Sequence, residues 1–60
     1  MNDAERIGKL RHDLANPLAA LLAEVQLLLM EPGVLTPDVA ATIKEIEGLA
    51  IRMRTLLREP

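Results

Sequence analysis

The sequence has no cysteine, no aromatic residue and a single histidine. Without cysteine there are no disulfides and no thiolate metal sites, and one histidine among scattered carboxylates is a poor zinc set, so no metal is expected. Without aromatics there is no platform on which single-stranded bases could stack. The net charge of −2, with both signs interleaved, gives no basic face for a phosphate backbone, which argues against a nucleic-acid partner. Only three glycines occur, Gly8, Gly33 and Gly48, too far apart for a phosphate-cradling loop. The longest apolar stretch, Leu18 to Met30, is interrupted by Glu24 and Gln26 and is short for a bilayer. There is no basic n-region with a cleavage-site pattern, no internal repeat and no low-complexity tract. The absence of cysteine suits a reducing cytoplasm, the expected location.

What is present is aliphatic. Half of the 60 residues are apolar, drawn from Leu, Ala, Ile, Val and Met, a composition suited to helices packed along a seam. A chain of this length forms one small domain, and a core so small usually needs a disulfide, a metal or a partner chain. The first two are missing here, so oligomerisation is the expected route.

One break divides the chain: Glu31-Pro32-Gly33-Val34-Leu35-Thr36. Pro and Gly stop a helix. Thr36 then reads as an N-cap, with Pro37 at the first helical position and Asp38 where negative charge favours the helix dipole. A first helix is expected from about Asp3 to Met30, a loop at about 31–36 and a second helix from about Pro37 to Arg58. On the second helix Val39, Ile43, Ile46, Ala50, Met53 and Leu57 form a heptad seam, widened by Leu49 and Leu56. On the first, the seam is Ile7, Leu10, Leu14, Leu18, Leu21, Val25 and Leu28, with a stutter between Leu14 and Leu18 where Pro17 sits. Pro17 removes a backbone hydrogen bond and crowds the carbonyl of Asp13, so a bend near Asn16 is expected. The alternative is a helix that ends at Asn16, although the apolar period continues beyond it without a turn signal. Two antiparallel helices touch along one line, yet each carries large apolar residues on both sides of that line. The expected fold is therefore all-α: an antiparallel two-helix hairpin that homodimerises into a four-helix bundle.

On a helical wheel His12 points away from the first seam, with Asn16, Glu5 and Lys9 on the same outer face and Ala15, Ala19 and Ala23 beside it. A lone histidine on a polar face is ordinarily just solvated. The run around it adds weight: His12-Asp13-Leu14-Ala15-Asn16-Pro17-Leu18, preceded by Arg11 and followed by Ala19-Ala20-Leu21. It resembles the H-box of sensor histidine kinases of the HisKA type. There a phosphoacceptor His is followed by an acidic residue, an apolar one, a variable one, then Thr or Asn, Pro and Leu. The helix, loop and heptad-bearing second helix also resemble that family's dimerization and histidine-phosphotransfer (DHp) domain across nearly the whole chain. Many members carry Arg where this chain has Ala15, so no phosphate contact is expected from that position.

A neutral imidazole can attack a phosphoryl group through one ring nitrogen while the other keeps its proton. Asp13 can accept a hydrogen bond from the ring and favour the cation that forms, or it can pair with Lys9 at helical spacing. For Asn16 the resemblance implies a dephosphorylation role, orienting water toward a phosphorylated regulator; the plain alternative is a residue tolerant of the position before proline. Lys9 and Arg11 can attract phosphate or serve as ordinary surface cations. Phosphoryl transfer from ATP also needs a nucleotide pocket and magnesium ligands, and no such motif occurs. No cofactor is expected in this segment; ATP and Mg belong to a separate ATP-binding domain, and these residues alone should not autophosphorylate. The resemblance implies three partners: a second copy of the chain, a histidine-kinase ATP-binding domain, and a response-regulator receiver domain whose aspartate takes the phosphate. Two other readings stay open, a stand-alone phosphotransfer protein and a purely structural dimerization hairpin.

Overall fold

The computed structural model describes residues 2–31 and 33–58. They form two helices, α1 (Asp3–Met30) and α2 (Pro37–Arg58), packed against each other, and no strand occurs among them. The hairpin is long and thin, 50 × 14 × 12 Å.

Each helix start has a chemical cause. The side chain of Asn2 accepts a hydrogen bond from the Glu5 N–H at 2.8 Å, and Asp3 and Glu5 place negative charge in the first turn. Thr36 does the same for α2: its hydroxyl oxygen accepts from the Val39 N–H at 3.3 Å, and its carbonyl accepts from the Ala40 N–H at 2.8 Å. Pro37 follows at the position where a missing N–H costs nothing. After α1 the Glu31 N–H reaches back to the Leu28 carbonyl at 3.3 Å, and Gly33 takes a left-handed φ of 78° that a side chain would disfavour. Pro32, named above as part of the break, lies outside the described residues, as do Met1, Glu59 and Pro60.

Helix α1 runs unbroken through Pro17, so it does not end at Asn16. The continuous run makes α1 long and apolar enough to cross a membrane by length and composition, which the Leu18–Met30 stretch by itself did not suggest. Its residues are not distributed as a lipid-facing span requires. His12, Asp13, Asn16 and Glu24 are exposed along it, and α2 covers part of its apolar surface.

The single seam expected on α1 is two stripes. Leu18, Leu22 and Ala50 form the buried core, with Leu57 packed beside it and Val25 buried next along α1. The same stripe of α1 extends through half-buried Arg11 and Leu29, and the matching stripe of α2 through half-buried Ala40, Ile43, Glu47 and Arg54. Leu22 is only 3% exposed, yet it was absent from the expected seam. Ile7, Leu10, Leu14, Leu21 and Leu28 are instead open, as are Val39, Ile46, Leu49, Met53 and Leu56 on α2. The reason is geometric. A face wide enough to serve two neighbours is split when a hairpin supplies one. The stutter at Pro17 disappears with the split, because Ile7, Leu10, Leu14, Pro17 and Leu21 alternate steps of three and four without interruption.

Leu22→Ala should destabilise the hairpin by about 2–4 kcal/mol through lost burial and a residual cavity. Leu27→Ala, at an exposed site, should change stability by less than about 0.5 kcal/mol. Urea unfolding followed by far-UV circular dichroism measures both, and equal effects would contradict the assignment of the core stripe.

Candidate functional site

The site is a stretch of α1. His12, Asp13, Asn16 and Pro17 are helical and exposed. With about 100° between successive residues, His12 lies roughly opposite the open stripe of Ile7, Leu14 and Leu21. It lies about a quarter-turn away from the stripe that meets α2. A partner covering the open stripe would therefore leave the imidazole reachable from outside. Asn16 follows one turn later on the same flank, and Ala15, Ala19 and Ala23 around it are exposed and small. Among the described residues, those on this flank of α1 toward the loop are the small Ala15, Asn16, Ala19 and Ala23.

The structure brings His12 and Asn16 onto one face but does not bring Asp13 onto the ring. Neighbouring residues of a helix point about 100° apart. The side-chain hydrogen bonds among the described residues belong to the caps at Asn2 and Thr36 and to Thr42 and Thr55, which bond carbonyls of their own helix. The ring-to-carboxylate hydrogen bond considered for Asp13 is not formed in this conformation. Among the described residues no group of His, Asp or Glu gathers into a metal-binding set.

Two half-buried cations were not distinguished by the sequence. Arg11 reads there as a surface charge and Arg54 carries no motif, yet both lie on the stripe where α1 meets α2. The signal was available: Arg54 is four residues after Ala50 and three before Leu57, at a position of the heptad that faces α1.

Away from His12, the open stripes border an apolar groove of about 450 Å³ lined by Leu14, Pro17, Leu18 and Leu21 of α1 and Met53, Leu56 and Leu57 of α2. Pro17 thus serves two surfaces, ending the H-box on one and lining the groove on the other.

No curated protein and no solved structure gives a significant match to the chain. The family described as "His Kinase A (phospho-acceptor) domain" matches residues 4–59, which takes in both helices, the loop and the whole H-box. That match, on a helical hairpin with an exposed histidine in α1, establishes the family: the chain belongs to the phospho-acceptor domains of the histidine kinases of two-component signalling.

Proposed function

We propose that the chain is the dimerization and phosphoacceptor unit of a cytoplasmic histidine-kinase module, with His12 as the phosphorylated residue. The observation that carries this reading is the placement of the one histidine on the flank of α1 opposite an unpartnered apolar stripe, inside a family match to phospho-acceptor domains. Ile7, Leu10, Leu14, Leu21 and Leu28 together with Val39, Ile46, Leu49, Met53 and Leu56 are too many exposed aliphatic side chains for a stable isolated hairpin. A second hairpin covers them in a four-helix bundle and leaves His12 outside.

The chemistry divides between chains. A separate ATP-binding domain presents the γ-phosphoryl group and its metal. One nitrogen of neutral His12 attacks phosphorus as the bond to the ADP oxygen breaks and its electron pair leaves with ADP. The proton on the other ring nitrogen makes the product a phosphoimidazolium, and the nearby Asp13 charge favours that cation. An aspartate of a receiver domain then takes the phosphoryl group. Asn16, one turn along the same flank, positions water for hydrolysis of the receiver's phosphoaspartate. The domain in this reading is the whole of residues 1–60.

Three outcomes are expected. Sedimentation equilibrium at micromolar concentration should give twice the 6.6 kDa chain mass, and Leu21→Glu should shift it toward monomer; a wild-type monomer would remove the bundle. His12→Gln should abolish labelling by a supplied histidine-kinase ATP-binding domain with unchanged helicity, whereas persistent acid-labile phosphate would place the acceptor elsewhere. Asn16→Ala should preserve labelling of His12 but slow dephosphorylation of a phosphorylated receiver by about tenfold or more, and an unaltered rate would leave Asn16 a structural residue only.

A further inference from the structure

The groove between the open stripes has one chemically distinct member. Its lining is Leu and Pro throughout, except for Met53 of α2. Leucine and proline side chains are saturated hydrocarbon and stay apolar in the presence of a peroxide. A thioether takes up an oxygen and becomes a polar sulfoxide. With no cysteine in the sequence, the methionines carry all of its sulfur and are the groups a peroxide attacks. Two of them lie among the described residues, and they are placed differently. Met30 is 77% exposed at the end of α1, about half a turn round that helix from Leu21 and outside the groove. Met53 is 53% exposed in the hairpin and belongs to the open stripe of α2, among Ile46, Leu49 and Leu56. The sulfur is thus open to solvent in the hairpin alone, at a place that a second copy of the chain covers.

We infer that Met53 is an oxidation site that controls pairing: its conversion to the sulfoxide by a peroxide weakens binding of a second copy, and a bound second copy shields the sulfur. The inference rests on the dimeric reading above and adds a modification site to it. In the step concerned, a lone pair of the Met53 sulfur attacks one oxygen of hydrogen peroxide. The S–O bond forms as the O–O bond breaks, and the departing hydroxide takes the proton left on the transferred oxygen and becomes water. Sulfur is oxidised by two electrons and the peroxide is reduced by two. While the groove is open, the new oxygen stays hydrated. Under a second hairpin it loses that water. None of the lining side chains carries an N–H or O–H to replace it, and backbone N–H groups in helix interiors are already used along their own helix. The penalty therefore falls on association. It is incurred twice, because a two-fold pair brings two copies of Met53 to the interface. Shielding follows from the same geometry, since peroxide reaches the sulfur through the dissociated chain.

The test treats the chain with hydrogen peroxide, locates the added oxygen by peptide mass spectrometry and measures the dimer dissociation constant by sedimentation equilibrium. Oxidation at Met53 should raise that constant about tenfold or more. Methionine sulfoxide reductase with a dithiol should restore the original value, which separates the effect from irreversible loss of fold. Met30→Leu should keep the full response to peroxide, and Met53→Leu should give the same constant before and after treatment. In the wild-type chain, oxidation of Met53 should slow as protein concentration is raised through the dissociation constant, while oxidation of Met30 keeps its rate. The pairing role of Met53 is overturned by an oxidised chain that dimerises as tightly as the untreated one, or by a Met53→Leu chain that loses its dimer on oxidation as the wild type does. A Met53 oxidation rate indifferent to concentration overturns the shielding. A chain that is monomeric before any oxidant is added overturns the dimeric reading itself, and this inference with it.

Discussion

Everything in this structure follows from a mismatch between how much apolar surface each helix carries and how much one neighbour can cover. Two helices in contact bury a stripe, and here that stripe is Leu18, Leu22 and Val25 against Ala50 and Leu57. The remaining aliphatic residues, from Ile7 to Leu28 on α1 and from Val39 to Leu56 on α2, stay open. With no aromatic side chain to add burial and no cysteine to tie the ends, such a hairpin has little internal reserve of stability. The surface that lacks a neighbour also determines which surface stays open. Whatever covers the open stripe leaves the His12 flank as the free side, and that is the side with an imidazole, an amide and a row of alanines.

The architecture was legible because its signals are local and chemically redundant. Thr36, Pro37 and Asp38 are three independent reasons for a helix to begin, and the capping bond at Thr36 is formed. Pro17 was the ambiguous case, since a mid-chain proline either ends a helix or is carried within one. The unbroken apolar period on its far side decides for the second, and α1 runs through it. The cap at Asn2 was not singled out, although an Asn preceding an acidic first turn is a recognisable start.

The division of the seam was harder to read. Periodicity gives the centre of an apolar face but not which half meets which neighbour, and the two halves here differ by less than a quarter-turn. Leu14 and Leu18 look equivalent in the sequence, yet Leu14 is 46% exposed and Leu18 7%. Leu22 was missed because it lies off the averaged centre and on the α2 side. For the candidate site, the sequence supplied the residues and the helical phase. The half-burial of Arg11 and Arg54 depends on contact between segments distant in the chain, and a local motif cannot report it.

The proline carried within α1 leaves one backbone group unmatched. Pro17 has no N–H, so the Asp13 carbonyl, one residue after His12, loses the donor that every interior turn otherwise supplies. Asp13 and Pro17 are both exposed, so solvent can take that place. Leu18, immediately beyond, is pinned in the core. The segment before Pro17 is thus joined to an anchored segment through the most weakly tethered turn of the helix. His12 lies in the turn just before that missing bond, and the core begins just after it.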